Sequence, residues 1–213
     1  MTGNVVGNAA GAARRWRLKS RAMLPQIVLA STSPRRRELL SSLRLAFEVR
    51  PSDIDETLFP GEDPYQAAER LAREKAAAGC RGPDELVVAA DTIVVLDGVA
   101  LGKPADRADA RRMLSLLEGR RHEVVTGVAL LWRERCAVGR EVSEVDFAPM
   151  SSDEIARYVD TGETDDKAGA YALQGIGSLF VAGVAGSPSN VVGLPLRLFA
   201  LLARQLGVDL LDR

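Results

Sequence analysis

The chain has 213 residues, a length suited to one large domain or two small lobes, and its 46% apolar and 27% charged residues place it among ordinary globular proteins. A net charge of −1 gives no overall basic field, so neither nucleic acid nor a membrane surface is expected as a partner, while a small anion needs only a local basic pocket. The single histidine, His122, excludes a multi-histidine zinc site within one chain; any metal must then be held by carboxylates and substrate oxygens, which favours magnesium or manganese.

Residues 1–24 carry Arg14, Arg15, Arg17, Lys19 and Arg21, and the first acid of the chain is Glu38. This segment is expected to be a disordered basic extension, with Met23 near the natural start of the fold and residues 25–213 forming a single domain. No apolar run approaches the roughly 20 residues that a membrane-spanning helix needs. Cys80 and Cys136 are far apart and in no CxxC motif, so they read as thiols of a reducing compartment, and a cytoplasmic location is expected.

Gln26 to Ala30 reads as a buried strand. Ser33 is placed to cap a helix whose first position is Pro34 and which runs to about Leu43. Phe47 to Val49 is a short strand, and Asp63-Pro64 opens a helix that Gly79 closes. Leu86 to Ala90 is a buried strand continued by Ile93 to Leu96, and Asp97-Gly98 turns it into Val99 to Leu101. Asp106 caps a helix ending before Gly119. Glu123 to Trp132 and Arg140 to Phe147 form two long strands, and Ser151 with Glu154 makes a capping box for a helix stopping at Gly162. Residues 162–193 hold seven of the nineteen glycines and resist assignment, a pattern that is often functional. Leu194 to Leu206 is a last amphipathic helix. Alternating strands and helices with hairpins among them predict an α/β fold on a mixed sheet.

Four segments are equipped for chemistry, and two further features, at Glu56 and Lys75, accompany them. In Ser31-Thr32-Ser33-Pro34-Arg35-Arg36 a strand gives way to a helix whose free N–H groups and positive dipole end suit an anion. Arg35 and Arg36 sit in the first helical turn, where a cation works against the dipole unless an anion binds there; a capped helix with solvated arginines is the plain alternative. Asp91, in Ala90-Asp91-Thr92, is placed where an apolar strand passes its end, facing a cleft, ready to hold a cation or activate water. It would serve a turn equally well. Lys103, in Leu101-Gly102-Lys103-Pro104, offers a point charge to a phosphate or lies in a surface turn. Gln174, in the glycine-rich run from Asp165 to Gly177, has donors and an acceptor for a base edge. Glu56 in Asp53-Ile54-Asp55-Glu56 is a metal ligand or a solvated loop acid, and Lys75 lies on an amphipathic helix.

Taken in order, these residues resemble the Maf family of nucleotide pyrophosphatases. The resemblance rests on Ala30-Ser31-x-Ser33-Pro34-Arg35-Arg36, Asp53-x-Asp55-Glu56, Leu71-Ala72-x-Glu74-Lys75-Ala76, Ala90-Asp91-Thr92, Leu101-Gly102-Lys103-Pro104, Asp166-Lys167-Ala168-Gly169-Ala170-Tyr171 and Asn190-Val191-Val192-Gly193-Leu194-Pro195. It implies a two-lobed α/β fold similar to the inosine triphosphate pyrophosphatases, with the site in the cleft between the lobes. It implies hydrolysis of a nucleoside triphosphate to the monophosphate and pyrophosphate, aided by a divalent cation, Mg or Mn. The catalytic acid falls on Asp91. The phosphate and metal group falls on Ser31, Arg35, Arg36, Glu56, Lys75 and Lys103, with Glu56 and Asp91 toward the metal. Specificity falls on Arg35, Thr92 and Gln174.

The segment Tyr171-Ala172-Leu173-Gln174-Gly175 is similar to the branch acting on dTTP and UTP. Thr32 and Ala172 stand where that pattern often has glycine. The expected partner is therefore a small-molecule nucleoside triphosphate. The resemblance also leaves room for a homodimer, although no interface is legible in the residues. A nucleotide-binding regulator of septum formation or cell division without turnover is the alternative, and a nucleotidyl-transfer enzyme on a similar scaffold is a third reading.

Overall fold

The computed structural model describes residues 24–212. In chain order it contains β1 (Gln26–Leu29), α1 (Pro34–Ser42), β2 (Phe47–Val49), α2 (Pro64–Gly79), β3 (Glu85–Leu96), β4 (Val99–Leu101), α3 (Arg107–Leu117), β5 (Arg121–Trp132), β6 (Arg135–Phe147), α4 (Ser152–Asp160), β7 (Val181–Ala185), α5 (Pro188–Val192) and α6 (Leu196–Gln205). The strands form one mixed sheet in the order β2-β1-β3-β5-β6-β7, with β4 also paired to β3. β1 runs parallel to β2 and β3, and every other pairing is antiparallel. The basic segment 1–24 lies, apart from Leu24, outside the described residues.

The twelve residues of β3 organise the molecule. One edge pairs with β5 from Leu86 to Val95. The other edge is shared: β1 pairs with Glu85 to Val88, and β4 pairs with Val94 to Leu96. Among the described residues no strand lies beside the interval between them. Side chains along β3 alternate between two faces. Val87, Ala89, Ile93 and Val95 pack under α2, against Ala67, Ala68, Ala72 and Ala76. On the opposite face Leu86, Val88 and Ala90 join Leu40 of α1 and Phe199 and Leu202 of α6, whereas Val94 and Leu96 join Met113, Leu114 and Tyr158 of α3 and α4. Thr92 and its cross-strand neighbour Thr126 form a polar seam between those two cores.

α2 lies unusually close to the sheet, and small residues permit it. Its contact face is mostly alanine, and Gly127 of β5 stands directly opposite Asp91 of β3. A Cβ on Gly127 would lie 2.1 Å from the carbonyl oxygen of Ala68. At the far end of α2 a Cβ on Gly79 would lie 2.6 Å from that of Ala30. Gly79 is thus the last residue of the helix, required for packing, and Cys80 rather than a left-handed glycine caps it.

Local signals place most boundaries. Asp97 and Gly98, with φ of 51° and 78°, turn β3 into β4, and both halves of the Ser151–Glu154 capping box are made. Three departures stand out. β3 runs without interruption, so Asp91 lies in mid-strand rather than beyond a strand end; what ends before it is the pairing with β1. β6 begins five residues before Arg140, because the hairpin turns on Arg133-Glu134, with Arg133 at φ 57° and no glycine or asparagine to announce it. The unassigned stretch holds two 3-10 turns, the short edge strand β7, and α5, which Ser187 caps ahead of Pro188.

Gly127→Ala must push α2 outward against backbone, a strain of about 1–3 kcal/mol that lowers Tm by roughly 3–10 °C in thermal unfolding followed by circular dichroism. His122 supplies a second test. It is 2% exposed between Phe147 and Tyr171, and burial brings its imidazole down to about 4 against a weaker upward pull from Asp146. The neutral ring therefore belongs to the fold, and its contribution is complete above the unfolded value near 6.5 and is lost as pH falls toward 4. Urea unfolding at neutral pH and at about pH 4.5 is expected to show up to roughly 3 kcal/mol more acid loss in the wild type than in His122→Phe.

Candidate active site

The first part of the site is the start of α1. Ser33 is extended at φ −66°, its hydroxyl accepts from the Arg36 backbone N–H at 3.4 Å, and Pro34 begins the helix. There is no acid in the first turn. The Arg36 guanidinium spreads over three neutral acceptors: Nε donates to the Gly193 carbonyl at 2.8 Å, Nη2 to Thr92 Oγ1 at 3.1 Å and Nη1 to Ser31 Oγ at 3.4 Å. Among the described residues neither Arg36 nor Arg35 has a carboxylate within 4.0 Å. Burial lowers the Arg36 pKa, opposed by Asp91 and Glu56 and reinforced by Arg35. A guanidinium stays charged in proteins, so a half-buried one with neutral partners is a standing site for an anion. Arg37, one position on, is exposed.

The second part is a chain of alternating charges. Asp91 faces α2, and its Oδ1 accepts from Lys75 Nζ at 2.5 Å. The same ammonium lies 2.7 Å from Glu56 Oε1, and Glu56 Oε2 accepts from Lys103 Nζ at 2.8 Å. Burial works to raise the Glu56 carboxyl, but the two lysines outweigh it and bring it down to about 2. Lys75 reaches Asp91 because Gly127 lets its helix approach the sheet at that point. These two acids and two lysines balance one another, which leaves Arg35 and Arg36 as surplus positive charge.

The third part is the polar seam. Thr126 donates to the Asn190 carbonyl at 2.9 Å, so its one hydroxyl proton is used, and the 3.0 Å contact between Thr92 and Thr126 must be a donation by Thr92. Thr92 also accepts from Arg36, so one lone pair remains, and it is equipped only to accept from a ligand.

These parts meet in one cavity of about 430 Å³. All nine singled-out residues, Ser31, Arg35, Arg36, Glu56, Lys75, Asp91, Thr92, Lys103 and Gln174, line it. Lys167 and Asp166, paired with each other, line it too, as do Ser52 and Leu173, which were not singled out. With Lys167 and Asp166 included, five cations face three carboxylates. Thr126 and Asn190 act behind this wall, through Thr92 and Arg36, and no short motif marks such cross-strand partners.

Among the described residues no group of three or more His, Cys, Asp or Glu side chains forms a ready metal cage. Glu56 and Asp91 nevertheless converge on the one Lys75 ammonium, so their oxygens point into a common space. Two hard oxygen donors suit a magnesium or manganese ion that takes its remaining ligands from water and phosphate. The residues present therefore fit such an ion.

Known proteins match this chain over most of its length. The family described as Maf-like protein matches residues 26–206. A dTTP/UTP pyrophosphatase of Anaeromyxobacter dehalogenans (strain 2CP-C) is 56% identical over 193 residues, 88% of this chain and 97% of that protein. One of Koribacter versatilis (strain Ellin345) is 49% identical over 183 residues, 85% of this chain and 95% of that protein. A looser likeness, at 17% identity and a TM-score of 0.41, links 85% of this chain with 97% of a nucleoside-triphosphatase / dITP/XTP pyrophosphatase from Mycobacterium abscessus. By the extent of the family match and the identity to these relatives, the chain belongs to the Maf family.

Proposed function

We propose that the chain hydrolyses nucleoside triphosphates, preferably dTTP and UTP, to the nucleoside monophosphate and pyrophosphate. The observation that carries this reading is the pair Arg35 and Arg36, without a carboxylate in ion-pair contact among the described residues, facing the Asp91–Lys75–Glu56–Lys103 chain across one cavity. The relatives named dTTP/UTP pyrophosphatase support the choice of substrate. In this reading the cavity is the cleft between two lobes, one built on β1, α1 and α6 and the other on α3 and α4.

The triphosphate lies along Ser31, Arg35 and Arg36, with the N-terminal dipole of α1 behind it. Its oxygens draw the ammonium groups of Lys75 and Lys103 away from Glu56 and Asp91, which frees carboxylate oxygens. A magnesium or manganese ion held by Glu56 and Asp91 would neutralise charge near the α-phosphorus. Asp91 accepts a proton from a water that attacks the α-phosphorus, the bond to the bridging oxygen breaks, and pyrophosphate leaves with that electron pair. Arg36 and the lysines meet the charge that develops on the leaving group. Thr92, through its one free lone pair, and Gln174 meet the base, and the limited room disfavours purines.

Incubation with dTTP, UTP, CTP and GTP plus manganese, read as pyrophosphate release without any acceptor but water, tests the activity. Tight binding without turnover would sink it in favour of a nucleotide-binding regulator, and release only with a second substrate would indicate nucleotidyl transfer. Asp91→Asn should lower kcat on UTP by at least about a hundredfold, measured well below a Tm that is itself lowered because Lys75 loses one of its two carboxylates, and a near-normal rate removes Asp91 from the role of base. Arg36→Lys keeps a charge but loses the planar fork, and is expected to raise KM for UTP by about tenfold in steady-state kinetics.

A further inference from the structure

The cavity wall that carries Gln174 has no helix or strand of its own from Tyr171 to Gly175, and Gln174 is exposed with no hydrogen bond to its side chain among the described residues. Its placement comes from elsewhere. Tyr158, on α4 and only 2% exposed, accepts the Ala172 backbone N–H at 3.2 Å and donates to Glu163 Oε1 at 2.8 Å. Glu163 Oε1 also takes the Gly177 N–H at 2.8 Å, and Oε2 takes the Ile176 N–H at 3.0 Å. One phenol and one carboxylate therefore hold both ends of the segment 172–177.

The glycines of the segment fit this clamp. Gly175 has φ 96°, and a Cβ there would lie 2.4 Å from Glu163 Oε2. A Cβ on Gly177 would lie 2.4 Å from the Ala172 carbonyl and 2.5 Å from the Tyr158 hydroxyl. Glu163 makes no ion pair among the described residues, so its negative charge is spent on two backbone N–H groups and a phenol. Charge-assisted bonds of this kind are about twice as strong as neutral ones. A carboxylate committed to two backbone N–H groups and a phenol fixes this loop in one place.

We propose that Glu163 and Tyr158 are positioning residues for base selection: they fix the wall bearing Leu173 and Gln174 at the distance that admits a pyrimidine and excludes a purine. The inference rests on the reading that this wall meets the base. It goes beyond that reading in assigning selectivity to a carboxylate and a phenol that touch no substrate. Neither contacts Asp91, Lys75 or Glu56, so the chemical step is left alone.

The test pairs Glu163→Gln with Tyr158→Phe, each first checked for wild-type-like Tm. Glu163→Gln keeps the side chain's size and turns an NH2 toward one of the three donors. Hydrogen exchange of the amides in 172–177 is expected to rise about tenfold, and the ratio of kcat/KM for UTP to that for GTP is expected to fall about tenfold, chiefly through KM, with kcat within about threefold. Tyr158→Phe moves both readouts the same way, and the double variant shows less than the product of the single effects. Binding of the non-hydrolysable α,β-methylene analogues of UTP and GTP gives the same ratio without turnover. Faster exchange with unchanged discrimination overturns the role in selection, and unchanged exchange overturns the clamp. Gln174→Ala separates this inference from the reading beneath it. If that variant keeps its discrimination while Glu163→Gln loses it, the base contact assigned to Gln174 falls and the clamp stands.

Discussion

Between Val88 and Val94 the outer edge of β3 has no strand beside it among the described residues, and the site follows from that gap. Strand edges without partners are tolerated where solvent or a ligand reaches them. Here β1 ends its pairing and hands its chain to the Ser31–Arg36 loop, while β4 enters further along and delivers Lys103. Two loops thus meet at the middle of one strand, and the cavity opens around its edge. Side chains from both faces of the sheet reach the same space: Asp91 from the α2 side, Thr92 from the other.

Two electrostatic designs coexist there. On the α2 side, charges alternate and cancel, and Lys75, almost fully buried, is affordable only because two carboxylates flank it. On the other side Arg36 is held by a carbonyl and two hydroxyls, which satisfy its donors without cancelling its charge. The hydrogen-bond relay from Arg36 through Thr92 and Thr126 to Asn190 is what permits this, since a carboxylate at any of those positions would consume the charge that an incoming anion needs. Asn190 is fully buried and ties the relay to β5 and β6 through the Val124 carbonyl and Ser143.

What was legible in the sequence was local. Ser33-Pro34, Asp97-Gly98 and Ser151 with Glu154 act within four residues of themselves, and each does what its chemistry dictates. Ser187-Pro188 carries the same kind of start signal for α5, yet it was hidden in a glycine-rich run. Asp91 lines the cavity, but from the middle of its strand rather than from beyond a strand end. The end of the β1 pairing is a relation between two distant segments, and an unbroken β3 leaves no mark of it in its own residues. Gly127 and Glu163 were not singled out for a similar reason. One matters through the backbone of Ala68, the other through N–H groups thirteen and fourteen positions later.

Asp91 and Thr92 are adjacent in the chain and sit on opposite faces of β3. In the proposed reaction the first belongs to bond breaking and the second to the base. Each face has its own supporting shell, α2 for one and the Thr126–Asn190 relay with α4 for the other. Substitutions that reshape the α4 wall through Tyr158 and Glu163 therefore load a different set of contacts from those that hold Asp91 and Lys75, whereas a change at Thr92 also reaches Arg36. The pleat of a single strand thus keeps Asp91 and its α2 support apart from the α4 wall, so that wall can change shape without moving the buried acid, and Arg36 is the group that feels both sides.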